Sequence, residues 1–496
     1  MSVVTYTFIV FLLCTIVLYY IVPKKIQWVI LLLASLVFYG YAGIEYLFLV
    51  IATAVVVYLF SLRLQKSLDE QEELAKDADR RTARKIKAAE KAKRKKFLVW
   101  ALVIVIGVLA VFKAFGFVLD NIKRFIPYDG LQSIPDWNLI APLGISFYSF
   151  MMISYLVDLY NGRISAQKNF FRYLSYVLYF PHVTQGPIAR YEEVGYQLWE
   201  EHSFNMDTIM RGVWLMLWGF VKKIVIADRI GAFTKEIFGH TFDYHGGIFL
   251  AVGIAYSIQI YCDFSGCMDI VRGTSECFGI VLGENFRRPY FSQTLPEFWR
   301  RWHISLSNWF RDYLYIPLGG NRRGFMVSKL NVIFVFLVSG LWHGAGWNYV
   351  VWGGMHGVAQ LFNNRKVNKN VKHNAVWWLK VLLTFLFVTL TWMVFRLGIT
   401  ETVNMLSGLS WRWCSFSESM DRIVDNTLLT HAKLALVAVC AVLLMVYDYF
   451  SLKRDLLKEF GRLNVVVRCA VYVFMIMFIL FEMPLVVTSR FIYFQF

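Results

Sequence analysis

The chain has 496 residues, 58% of them hydrophobic and 17% charged, with 17 tryptophans and a formal net charge of +17. A water-soluble chain carries roughly 25% charged residues, so this composition excludes a dispersed soluble domain and makes lipid the expected solvent. The excess of Lys and Arg then belongs beside apolar spans, in cytoplasmic loops and against anionic headgroups, and nucleic acid is not an expected partner.

A membrane helix needs about 20 mostly apolar residues. The first such run, Val3 to Val22, is long enough to span and has no basic segment before it, so it reads as a first membrane helix and not as a cleaved leader. Further candidate spans are 27–42, 45–62, 97–119, 138–160, 208–227, 247–262, 326–342, 345–362, 377–396, 433–450 and 465–487. Some are short or interrupted by Gly, which bounds the count at about nine to thirteen crossings. Lys24 and Lys25 mark a cytoplasmic turn after the first span and place the N-terminus outside. Two more crossings return the chain to the cytoplasm at Leu62, where the longest polar segment, 61–96, carries Arg80-Arg81, Arg84-Lys85 and Lys93 to Lys96. Without Pro or Gly, it reads as a solvated helical pair or one extended helix; docking a partner is the alternative use. The span 138–160 ends near Asp158, and Arg163, Lys168 and Arg172 again suit the cytoplasmic side.

From about 170 to 362 the chain mixes apolar runs with Gly, His, Arg and Asp. An ionisable group at the bilayer centre costs several kcal/mol unless paired or hydrated, and irregular backbone at that depth needs protein or a water-filled cavity around it. The function is therefore expected in this middle third.

Three constellations there can carry chemistry. In Leu295 to Leu314, Pro296 suits a first helical turn, and Trp299, Trp302, Leu306, Trp309, Phe310 and Tyr313 recur at helical spacing opposite Arg300, Arg301, Asn308, Arg311 and Asp312. This predicts one amphipathic helix with an aromatic side, fit for a membrane interface. His303 lies on the edge of that stripe, as a packed residue or a working one. In Leu337 to Asn348, His343 sits inside an apolar run between Trp342 and Gly344. A buried neutral imidazole there can serve as general base for a hydroxyl; the other reading is a histidine bonded to a neighbour, with Gly340, Gly344 and Gly346 packing helices. His356 in Gly353 to Gly357 is open to the same two readings. The third group is acidic: Asp263, Asp269 and Asp158, each able to orient a histidine or to pair with an arginine such as Arg190 or Arg287. Thr184 to Arg190 reads as a turn at Gly186-Pro187.

Seven widely spaced cysteines lack the paired spacing of a zinc site, so no metal is expected and small buried packing residues are. There is no Walker loop, dinucleotide fingerprint, nucleophile elbow or His-Glu-x-x-His. The residues alone stop at a membrane enzyme or transporter with a buried histidine.

The stretches Gly144 to Phe150 with Tyr155 to Asp158, Gly186 to Arg190, Tyr261 to Gly266, Phe298 to Ser305, Arg311 to Arg322 and Leu341 to Ala345 resemble, in order, those of the MBOAT (membrane-bound O-acyltransferase) superfamily. The resemblance is to its bacterial alginate O-acetylation and peptidoglycan O-acetyltransferase branch, with the teichoic acid D-alanyl transfer protein a cousin. It implies an all-α polytopic fold, a ring of membrane helices around a thin core pierced by a central tunnel, in one integral membrane domain over 1–496 with its catalytic core at 140–360. His343 would match the catalytic histidine and His303 the second family histidine. Trp302, Trp342, Asp263, Arg300, Arg311 and Asn348 are tunnel candidates. The implied task is O-acylation, with acetyl the expected group, of a cell-surface polysaccharide from a cytoplasmic donor, acetyl-CoA or an acyl carrier thioester, with no bound cofactor. An extracytoplasmic partner acyltransferase, the glycan and the lipid membrane are the implied partners, and a bacterial plasma (inner) membrane the implied location. The last six residues, 491–496, resemble a C-terminal aromatic motif in which Tyr493 would be a covalent acyl relay; an aromatic belt closing the last helix is the alternative. A transporter of an acyl group or lipid-linked intermediate, without transfer chemistry of its own, is the competing function.

Overall fold

The computed structural model describes residues 2–126, 134–135, 139–244, 246–362, 373–411, 416–427, 429–454 and 456–482. Every regular element among them is helical. Among the described residues, seven helices are long and apolar enough to cross a membrane: Ile44–Lys76, Arg80–Lys113, Ile248–Glu276, Phe325–His343, Ala375–Leu397, His431–Phe450 and Val465–Glu482. The protein is a multi-pass membrane protein. Other apolar runs form shorter helices, among them Tyr6–Ile21, Gln27–Gly40, Ile145–Tyr160 and Trp347–Phe362.

The chain forms two compact units. The first comprises Met1–Gly212 and Val271–Gly283. There the 61–96 segment takes the helical-pair form: Ile44–Lys76 and Arg80–Lys113 each run out of an apolar span into a charged half. Asp79 starts the second helix by accepting the Arg81 N–H at 2.9 Å. The charged halves are stitched together by Lys93 on Glu70 at 2.6 Å and Ser67 on Glu90 at 2.6 Å. Within the same unit the stretch from Tyr179 to Ala189 is buried and largely non-helical, with the expected turn at Gly186 packed against His182. That buried histidine was not singled out by the sequence; its Nε2 lies 3.0 Å from the Tyr176 carbonyl.

The second unit comprises Val213–Ile270 and Glu284–Phe496. Its central hairpin pairs Phe325–His343 with Trp347–Phe362. Glycine is what lets these two helices touch: a Cβ on Gly340 would stand 2.2 Å from the Tyr349 carbonyl oxygen, and one on Gly353 2.3 Å from that of Phe336. For Gly340, helix packing is thus the reading that holds. Val221–Ala227 is a π-helical stretch enclosed on every side, with Lys222 to Ala227 all buried. Lys223 pairs with Asp263, and with Asp228 at 2.7 Å, while Lys222 pairs with Asp269 at 2.5 Å. Asp263 and Asp269 therefore meet lysines, and Asp158, in the first unit, pairs with an arginine as the sequence allowed, Arg163 at 3.1 Å. Cys262, Cys267 and Cys277 are buried as expected, whereas Cys14 and Cys469 are exposed.

The expected single helix from 296 to 313 is corrected. Leu295–Arg301 and Ile304–Phe310 are separate helices, and Arg311–Tyr315 is π-helical. Thr294 caps the first by accepting the Glu297 N–H, and Glu297 reaches back to the Gln293 N–H at 2.9 Å. The chain then turns extended at Trp302 and left-handed at His303, φ +43°. The aromatic stripe points into protein, with Trp302, Leu306, Trp309 and Phe310 all buried.

Candidate functional site

The break at 302–303 is made by a distant strap of chain. Asn285 accepts the Ile304 N–H on its carbonyl at 3.0 Å and the Ser305 N–H on Oδ1 at 2.9 Å, while the Arg287 N–H donates to the Arg301 carbonyl at 2.8 Å. These bonds satisfy the first amides of the second helix in place of a local cap. They also hold His303 where only a few per cent of non-glycine residues sit, at a cost of order 1–2 kcal/mol. Strain of this kind persists where the surroundings over-determine it, commonly at functional sites.

His303 is fully buried, and its Nδ1 is 3.4 Å from Asn285 Oδ1. An amide oxygen can only accept, as it also does from Ser305, so Nδ1 is the donor nitrogen. Phe264 meets the imidazole edge-on at 4.7 Å. His303 lies outside the span-length helices, and burial pushes its imidazole down to about 3, which keeps it neutral.

His343 is the last residue of Phe325–His343 and is 4% exposed. It is enclosed by aromatic edges: Trp342 at 5.0 Å, Trp352 at 5.2 Å and Phe395 at 5.6 Å between ring centroids. The Trp342 ring is also 6.3 Å from His303. The two histidines, 40 positions apart in sequence, thus flank one indole. Trp302 joins the same core, stacked on Phe298 at 5.5 Å and near Trp392 at 5.1 Å.

The same unit holds a cavity of about 550 Å³, lined by Arg287, Arg300, Arg311, Trp299, Phe336 and Ser339 among others; Ile304, the neighbour of His303, is on its wall, and neither histidine is. Its volume is in the range of small-molecule sites, about 300–1,000 Å³. Arg300 is exposed, and Arg311, also exposed, holds Asp312 at 2.7 Å. The structure so gathers His303, His343, Trp302, Trp342, Arg300 and Arg311 in one unit. Asp263 is engaged in its buried ion pair, and Asn348 donates to the Phe395 carbonyl at 2.8 Å, tying the hairpin to the helix that packs on His343. Tyr493 lies outside the described residues.

Both ring nitrogens of His356 are occupied, which corrects its reading as a possible base: Trp299 Nε1 donates to Nδ1 at 3.2 Å and Thr391 Oγ1 stands 3.0 Å from Nε2. The sequence also passed over Asn285. A lone Asn in Gly283-Glu-Asn-Phe286 carries no local signal; its role comes from bonds to residues about 20 positions ahead.

The model of the MBOAT, membrane-bound O-acyltransferase family, matches residues 161–365, a stretch that contains both histidines. The chain is 36% identical over 379 residues to the probable alginate O-acetylase AlgI of Pseudomonas aeruginosa, covering 76% of this chain and 68% of that protein. It is 30% identical over 466 residues to the peptidoglycan O-acetyltransferase of Helicobacter pylori, covering 86% and 83%. It is 28% identical over 286 residues to the teichoic acid D-alanyltransferase of Bacillus subtilis, covering 53% and 70%.

Proposed function

Because the chain belongs to the membrane-bound O-acyltransferase family and is a membrane O-acyltransferase, we propose that it moves an acetyl group from a cytoplasmic thioester donor toward the hydroxyls of a cell-surface polysaccharide. The observation that carries this reading is the convergence of His303 and His343 on Trp342, in the unit that also holds the arginine-lined cavity. An anionic donor, acetyl-CoA or an acyl carrier thioester, is drawn by Arg287, Arg300 and Arg311, and arginine suits phosphate oxygens through its planar fork of donors.

His343 acts as general base. It takes the proton of the acceptor hydroxyl as the oxygen attacks the thioester carbonyl; the C–S bond breaks, and the leaving thiolate is protonated. The surrounding rings exclude water, which protects the thioester from hydrolysis and strengthens each hydrogen bond made there. His303, neutral and oriented by Asn285, hydrogen-bonds the reacting groups without adding a second charge. Trp302 and Trp342 shape the path between them. Tyr493 is the proposed first acceptor, its phenol passing the acetyl to an extracytoplasmic partner acyltransferase that modifies the glycan. The positive-inside pattern supports a bacterial plasma membrane location with the N-terminus outside.

The test is to release O-esters by mild base from the surface glycans of the host, with and without the chain. Acetate lost with the protein supports the reading; D-alanine lost instead would replace acetyl with an aminoacyl group, and unchanged esters would refute it.

A further inference from the structure

His356 is completely buried in Trp347–Phe362 and does not face the reaction directly. Its hydrogen bonds fix its state. Trp299 Nε1–H can only donate, so Nδ1 of His356 accepts, at 3.2 Å. Thr391 spends its hydroxyl proton on the Val388 carbonyl at 2.8 Å, so Nε2–H of His356 donates to Thr391 Oγ1 at 3.0 Å. The ring is therefore the neutral Nε2–H tautomer, with both nitrogens committed.

What this ring supports is on two sides. Trp299 and Phe336 line the arginine-bearing cavity, and both pack on His356, at 5.2 Å and 6.1 Å. Trp352 packs on His356 at 5.0 Å and on His343 at 5.2 Å. A single imidazole thus backs the wall of the cavity and the ring against which His343 rests. An indole in a tight aromatic cluster has several packings of similar contact area; one directed N–H bond selects among them.

We propose that His356 is a positioning residue for acyl transfer, its Trp299–His356–Thr391 hydrogen-bond chain setting the partition of Trp299 and Trp352 between the donor cavity and His343. The inference rests on the acyltransferase reading above. It assigns no proton transfer to His356. The residue acts by holding the thioester carbonyl and the His343 imidazole in register, where a displacement of about 1 Å costs on the order of a hundredfold in rate.

The experiment pulses host cells with radiolabelled acetate, which labels the acetyl pool whichever thioester is the donor, and counts base-released acetate from the glycan at matched membrane abundance. His356→Leu removes both bonds. Trp299→Phe keeps an aromatic ring in the wall, smaller than the indole, and removes the N–H. His356→Gln retains an acceptor and a donor. His356→Leu and Trp299→Phe share the loss of the Trp299–His356 bond, and each should slow labelling by about tenfold or more, the rate equivalent of at least one net hydrogen bond. Because both break one contact, the double variant should be no slower than the slower single. His356→Gln should stay within about threefold of wild type. Multiplying effects in the double variant, a Gln variant as slow as Leu, or full-rate labelling by His356→Leu would overturn the proposal. His343→Ala runs in parallel: wild-type labelling there would refute the acyltransferase reading itself, whereas a silent His343→Ala with independent His356 and Trp299 effects would refute only this inference.

Discussion

His303 and His343 face the same indole, Trp342, with ring centroids 6.3 Å and 5.0 Å from it. One histidine ends a span-length helix and the other sits in a strained turn between two short ones, so the pair is assembled by tertiary structure and held from both sides.

The strain at His303 separates stability from activity. His303→Gly removes the imidazole and also the penalty of a side chain at φ +43°. The variant should be about 1 kcal/mol more stable than His303→Ala, which leaves the same cavity but keeps a Cβ at positive φ, while glycan acetylation falls at least about a hundredfold. His303→Ala should lose the same activity without the gain in stability. Thermal unfolding in detergent, run beside base-released acetate, reads both.

Arg300 and Arg311 line the cavity and are exposed. Changing both to Gln should raise the KM for the thioester donor about tenfold and leave kcat within about twofold, as expected for lost attraction to an anion that is not itself reacting. The difference from wild type should shrink as salt is raised. Initial rates in inverted membrane vesicles with the donor varied provide the check.

Lys223 sits between Asp263 and Asp228 and is 1% exposed. Lys223→Met removes this cation from the buried Asp263 carboxylate and should cost about 3–5 kcal/mol. Adding Asp263→Asn should recover part of that loss, because the uncompensated charge is then removed. The temperature at which half the protein leaves the monodisperse peak orders the three proteins; a double variant less stable than Lys223→Met would contradict the account.

Gly353 is predicted to tolerate no side chain. A Cβ there would stand 2.3 Å from the Phe336 carbonyl oxygen, which is backbone and cannot swing away. Gly353→Ala should therefore destabilise by about 2 kcal/mol or more, whereas Gly107→Ala, which meets nothing within 4 Å, should be neutral or slightly stabilising.

The apolar runs and basic clusters made the membrane class and the charged hairpin legible, because bilayer thickness and loop charge act on local sequence. The histidines were legible as candidates, since a His inside an apolar run has few uses. The break at His303 was not. Trp299, Trp302, Leu306 and Trp309 keep helical spacing across it, and the backbone bonds that interrupt the helix come from Asn285 and Arg287. The partner of Asp263 was missed for a related reason: Lys223 lies 40 positions away, in a stretch, Lys222 to Ala227, that is buried on every side. His356 was ambiguous because its role depends on Trp299 and Thr391, which are remote in sequence.

The most direct test is the amount of glycan-bound O-acetyl in the host, released by mild base, with wild type compared to His343→Ala at equal membrane abundance. The variant should insert and fold normally, with O-acetyl falling to the level of cells lacking the protein. Undiminished O-acetyl in the His343→Ala strain would contradict it.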